Sequence, residues 1–292
     1  MSSKAIETLK ESYAYCQRLT KKEARNFYFA FITLPKHKRH AIFAVYSFAR
    51  IADDIADGSK SFGQKKELLE KLREDLHSAA LRKANHPIFI ALSDVISNFN
   101  INPELFDQLI DGVEMDLERS RFLTFNDLSL YCYHVASVIG LISIEIFGYK
   151  DERAREAAKN LGIAMQITNI MRDLKEDFLA DRVYIPTEDL EFYGYSEEDL
   201  KNSVINENFL NLMHYQAQRA RQFYKSGSEL FQYINPRSRA CVVVLHGLYL
   251  RLLDKLENEK FQVFEKKVRL SSSRKLIVMV KLWITSFLIK SR

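Results

Sequence analysis

Apolar residues recur every three to four positions along nearly the whole chain, a period that predicts helix after helix. A first helix runs to about Leu19, and a short aromatic segment follows at 26–31. Leu34-Pro35 opens a helix that carries 41–57, and Gly58 and Gly63 mark the turn after it. Further helices are predicted at 64–82, 87–99, 103–118, 126–147 and 152–178. Pro186 and Gly194 fall in a looser region, and two more helices follow at 206–233 and 236–258. β-branched runs such as Val242-Val243-Val244 sit inside longer helical patterns, so a sheet is not expected. No linker, repeat or low-complexity stretch divides the chain, which predicts one all-α domain over 1–292.

The last apolar stretch, 276–289, is interrupted by Lys281 and flanked by Arg274, Lys275, Lys290 and Arg292. It falls short of the roughly 20 apolar residues that a spanning helix needs. A helix over 275–290 packed on the core is the first expectation, with contact to a membrane surface as the second.

Composition sharpens this picture. Nine glycines and five prolines are too few for a chain rich in tight turns. Twenty Phe and fourteen Tyr exceed what a small core needs and suit a cavity for a long apolar chain. The net charge of +5 suits an anionic substrate or an anionic surface, and no nucleic-acid motif accompanies it. Cys16, Cys132 and Cys241 are far apart with no CxxC pair, which argues against a disulfide framework or a zinc site. That usage fits a reducing compartment, and residues 1–13 carry no apolar signal core. The expected location is the cytoplasm, with peripheral contact at the inner face of the membrane as an option.

Two polar stripes carry the chemistry. Asp53 and Asp57 are four apart on one helix face, and Tyr46 and Arg50 extend that face toward the N-terminus. Their neighbours are Ala, Ile, Val and Phe, so two like charges stand on a helix that should be buried. Asp54 is off this stripe and reads as a solvent-facing or capping group. In the second stripe, Gln166, Asn169, Asp173 and Asp177 are spaced three, four and four, flanked by Ile167, Ile170, Met171 and Leu174. Carboxylate and amide oxygens are hard ligands that suit Mg²⁺ shared with phosphate oxygens. Arg50 and Arg172 can grip the same phosphates. Alone, the first stripe reads more readily as a solvated helix end, and the second also reads as surface ion pairs with Arg172 and Lys175; the duplication favours a metal–diphosphate site.

At these residues the chain resembles the squalene/phytoene synthase family. Asp53 and Asp57, with Tyr46 and Arg50 before them, resemble its first aspartate motif. Asn169, Asp173 and Asp177, preceded by Gln166, resemble its second. Tyr131-Cys-Tyr-His134 and Asp181-Arg182-Val-Tyr184-Ile-Pro186 are similar to two further family segments. The resemblance implies an isoprenoid-synthase helical bundle around a central cavity. It implies Mg²⁺ on Asp53, Asp57, Asn169, Asp173 and Asp177, and head-to-head condensation of two prenyl diphosphates. Tyr131 and Tyr184 would join the catalytic aspartates. Arg25, Phe27, Tyr46, Arg50, Asp116, Gln166, Arg172, Arg182 and Tyr249 would contact substrate. Phe31 matches a cavity-lining position, and the tail cations Lys266, Lys267, Arg269, Arg274 and Lys275 fall where relatives bind phosphate. His134 reads as a packing residue.

The wording of the first motif and of the tail resembles bacterial squalene or presqualene enzymes. The expected substrate is farnesyl diphosphate, giving presqualene diphosphate or, with NADPH, squalene. The alternative is phytoene synthesis from geranylgeranyl diphosphate. From a different class come a non-catalytic assembly factor and a lipid-binding protein; the intact acidic motifs argue against the first, and a lipid binder would not need Mg²⁺. Oligomeric state is not readable from the chain.

Overall fold

In the computed structural model, residues 3–23 and 25–289 are described, with side chains over 7–23 and 27–289. The side chain of Arg25, and Lys290 and Arg292 of the tail, lie outside that description. All regular structure among the described residues is helical, apart from two isolated bridges, Arg121 with Val183 and Tyr149 with Ile234. The helices in order are α1 (Ser3–Glu23), α2 (Arg25–Phe31), α3 (Lys36–Asp57), α4 (Phe62–Ala80) and α5 (Pro87–Phe99). Then come α6 (Glu104–Glu118), α7 (Phe125–Cys132), a π turn (Tyr133–Ser137) and α8 (Val138–Phe147). α9 (Arg153–Leu179), α10 (Thr187–Phe192), α11 (Glu197–Lys201) and α12 (Glu207–Gly227) follow. α13 (Leu230–Tyr233), α14 (Pro236–Asn258) and α15 (Ser272–Ser286) complete the set.

Local chemistry sets the boundaries. Ser61 and Gln64 form a reciprocal capping box at the start of α4, and Thr124 with Asp127 does the same for α7. α9 stops where Asp181 enters the left-handed region at φ 58°. Its N–H donates to the Phe178 carbonyl at 3.0 Å, and the Arg182 N–H to that of Asp177 at 2.9 Å. This pair of reversed bonds closes the helix end, with a short polar Asp where Gly is more usual.

One apolar cluster runs from Cys16 in α1 to Val278 in α15. α9 is central to it, packed against α12, α8 and the π turn. Close approach there depends on glycine. A Cβ on Gly162 would sit 2.7 Å from the Ser137 backbone, and one on Gly112 would sit 2.7 Å from the His134 Cβ. His134 is thus the packing residue expected of it, and its Nδ1 lies 2.9 Å from the Gln108 carbonyl.

The structure differs from the periodicity in four places. The stretch 126–147 is interrupted by the π turn, against which both α6 and α9 pack. It is the one stretch among the described residues long and apolar enough to cross a bilayer, yet half of it is buried against neighbouring helices. The stretch 206–233 breaks after Gly227, which lies against the Leu161 backbone. The aromatic segment 26–31 is helical, and the looser region around Pro186 and Gly194 contains α10 and leads into α11.

Candidate active site

A cavity of about 390 Å³ opens between α3, α6, α8, α9 and α14. Its mouth is acidic and its depth is apolar. Asp53 and Asp57 of α3, Asp116 of α6, Gln166 and Asn169 of α9, and Arg182 just beyond α9 line the polar end. Ile139, Ile144, Phe147, Leu161, Leu230 and Leu245 are among the apolar residues further along the lining.

The two stripes meet at this mouth. Arg182 donates to the Asp57 carboxylate at 3.2 Å, while its backbone N–H closes α9 on Asp177. Asp116 lies between them and raises the proton affinity of both Asp53 and Asp177. Burial, then Asp57, pushes the Asp53 carboxyl up to about 7. Asp53 nevertheless touches the water of the open cavity, so that field is partly screened. Burial and Asp173 push Asp177 up to about 8, against the opposing charges of Arg182 and Lys267.

Asp173 is in the opposite state. Burial raises its carboxyl, but Arg172 and Lys267 outweigh that and hold it below the ordinary range. Arg172 Nε donates to it at 2.8 Å and Lys267 Nζ lies 2.6 Å away. Arg172, Asp173 and Asp177 do not line the cavity itself; they stand behind its rim. Arg50 is likewise off the lining and pairs with the exposed Asp54 at 2.5 Å.

Asp116 is the centre of a buried aromatic group. Tyr184 donates to its Oδ1 at 2.6 Å and Tyr131 to its Oδ2 at 2.9 Å. The two rings stack with centroids 5.1 Å apart, and Phe122 packs on both. The bridge of Val183 to Arg121 sets Tyr184 beside Phe122, so the loop after α9 supplies half of this cluster. Asp116 is therefore no stray helix-face charge. A second aromatic group walls the cavity, where Phe27 of α2 lies within about 6 Å of Phe31, Tyr46 and Tyr249. Burial pushes the Tyr46 hydroxyl up to about 12, and the Tyr249 hydroxyl is also raised by burial against Arg172.

Two buried polar atoms on the stripes have no hydrogen-bond partner, Asn169 Oδ1 and Arg50 Nε. An orphaned amide oxygen beside carboxylates is a fitting ligand for a hard cation, and an orphaned guanidinium N–H is a fitting donor for phosphate. Among the described residues no three His, Cys, Asp or Glu side chains make a ready metal cage. Mg²⁺ does not need one, because it keeps waters and takes one or two carboxylates plus phosphate oxygens.

Sequence reasoning missed Phe122 and the deep lining. It placed Lys267 only within a basic tail; the Lys266-Lys267 pair near the end of the chain was the available signal.

Comparison with known proteins agrees with this geometry. The family model for squalene/phytoene synthase matches residues 20–274. A phytoene synthase of Arthrospira platensis is 34% identical over 285 residues, covering 93% of this chain and 92% of its own. One of Mycobacterium tuberculosis is 32% identical over 270 residues, covering 91% and 89%. Among solved structures, a dehydrosqualene synthase with bound ligand superposes with a TM-score of 0.89 at 30% identity, covering 97% and 99%. A squalene synthase of Alicyclobacillus acidocaldarius gives 0.82 at 25% identity, covering 88% and 98%. With paired acidic helices, an all-α body and matches along nearly its whole length, the chain belongs to the squalene/phytoene synthase family, prenyltransferases that condense two prenyl diphosphates head to head.

Proposed function

We propose that this enzyme condenses two molecules of geranylgeranyl diphosphate to phytoene. The observation that carries the reading is the run of relatives at 30–34% identity over more than nine-tenths of the chain, all named phytoene synthases. The motif wording that pointed to farnesyl diphosphate is the weaker signal, since it spans a few residues and these matches span the chain. Phytoene needs no reductant, so NADPH drops out of the scheme.

Mg²⁺ held by Asp53, Asp57, Asn169, Asp173 and Asp177 would supply the Lewis acidity that makes diphosphate a leaving group. The protein's own part is positioning. Arg182 lines the cavity and offers donors to the diphosphate, while Arg50, behind the lining, keeps a buried Nε without a hydrogen-bond partner. Phe27, Phe31, Tyr46 and Tyr249 exclude water from the allylic cation and offer it π faces. Tyr131 and Tyr184, fixed by Asp116, hold the floor between the two acidic stripes. Arg172 and Lys267 keep Asp173 ionised and oriented.

A second reading, farnesyl diphosphate as substrate, is favoured by the 0.89 TM-score to a dehydrosqualene synthase. Incubation of the purified chain with each diphosphate, in Mg²⁺ or EDTA and without NADPH, separates the two. Phytoene from the longer substrate, abolished by EDTA, is expected. A C30 hydrocarbon from farnesyl diphosphate as the faster product overturns the chain-length reading, and turnover that ignores EDTA overturns the site.

A further inference from the structure

α15 is apolar on both faces, and only one of them is packed. Val278 and Ser286 are buried, and Leu282 seats against Gly247, whose missing side chain leaves it room on α14. The Arg239 guanidinium holds the far end by donating to the Ile289 carbonyl. The opposite face presents Leu276, Ile277, Val280, Trp283, Ile284, Phe287 and Leu288 to solvent. The described residues contain fifteen exposed large apolar side chains, and seven of them fall within these thirteen positions. Scattered apolar residues need no explanation, but a concentration of this kind marks a surface that is covered in use.

Charge says what covers it. Residues 266–289 carry Lys266, Lys267, Arg269, Arg274, Lys275 and Lys281, and no Asp or Glu. Lys266, Arg269, Arg274 and Lys281 are exposed. Pairing this face with its own copy across a two-fold axis would set those cations against each other without a counter-charge. An anionic bilayer satisfies both features, since the apolar side chains enter the acyl boundary and the basic stems reach back to headgroups. We propose that the outer face of α15 docks the enzyme on an anionic lipid surface, lying in its plane.

Position adds a reason. α15 packs on α14 and touches α2, and those two helices supply Phe27, Phe31, Val242, Leu245 and Tyr249 to the cavity wall. The docked face therefore lies one helix layer from the space that holds the prenyl chains. The proposal does not depend on which prenyl diphosphate is used, and its test uses no substrate.

Trp283 is the only tryptophan in the chain, so its emission reports this face alone. The full chain should be mixed with vesicles of phosphatidylcholine, with and without about 30% phosphatidylglycerol. Emission should move to shorter wavelength and the protein should sediment with the anionic vesicles, both weakening as salt is added. Replacing Ile284→Ser and Phe287→Ser together should lower partitioning at least about tenfold while leaving helicity and the thermal unfolding midpoint unchanged. Arg274→Glu with Lys281→Glu should abolish the preference for anionic over neutral vesicles. Absence of a wavelength change on either vesicle overturns the proposal. So does a lipid-free shift that rises with protein concentration alongside a doubled sedimentation mass, which would give the face to a second copy.

Discussion

The acidic stripes of α3 and α9 share a spacing and a destination, yet Asp53 on the first and Asp173 on the second sit in opposite electrostatic states. On α3, Arg50 is drawn off to Asp54, and Asp57 meets Arg182 alone. For Asp53, burial and the charge of Asp57 outweigh the pull of Arg50, and it holds its proton up to about 7. On α9, Asp173 is clamped by Arg172 and Lys267 and stays ionised, while Asp177, one turn on, holds its proton up to about 8. Helical spacing decides which face a carboxylate occupies; partners brought from distant segments decide its charge.

The contrast can be broken by substitution. Asp53→Asn and Asp173→Asn should each lower turnover by at least about 100-fold, read as hydrocarbon product per minute. Their stabilities should diverge. Asp173→Asn strips Arg172 of its partner and half-buried Lys267 of one of two, and should cost about 2–3 kcal/mol in urea unfolding with EDTA present. Asp53→Asn removes a repelled carboxylate and should cost nothing or stabilise. Equal losses would show that the two stripes are not electrostatically distinct.

Between the stripes, Tyr184→Phe removes one of the two hydroxyl donors to Asp116. It should cost about 1–2 kcal/mol in the same unfolding assay. A further test reads the proton on Asp177. Its carboxyl stands at about 8 in the fold against an ordinary 3.8, so the folded chain binds that proton more tightly than the unfolded one. The stability it contributes is full below the ordinary value and declines as pH rises through that window. Asp177→Asn has no such proton. Its stability relative to wild type, in metal-free buffer, should therefore be greater at about pH 9 than at about pH 6. The same difference at both pH values would refute the raised affinity. Smallest of all, Asp54→Asn should change stability by less than about 0.5 kcal/mol, because its pair with Arg50 is exposed.

Both stripes were legible in the sequence because four-residue spacing on an apolar helix needs only local geometry. Tyr46, Asp116, Tyr131, Gln166, Asn169, Arg182 and Tyr249 also line the cavity, while Tyr184 and Arg172 do not. What stayed hidden depends on contacts between residues far apart in sequence. Lys267 reaches Asp173 across ninety-four positions, and Phe122 joins Tyr184 only because Val183 bridges to Arg121. The break after Gly227 answers to the backbone of Leu161, which no window around residue 227 contains.

The π turn at Tyr133–Ser137 governs the phase of the cavity wall. Tyr131, Val135, Ile139, Ser143 and Phe147 all line the cavity, each four residues after the last. In a regular α-helix each such step overshoots a full turn by about 40°, so the fifth residue would stand about 160° from the first. The wider winding of the π turn takes back part of that overshoot. Ordinary α winding over the same residues would restore that overshoot and turn one half of the wall away from the other. The facing of this wall is thus set by how its backbone winds as well as by the size of its side chains.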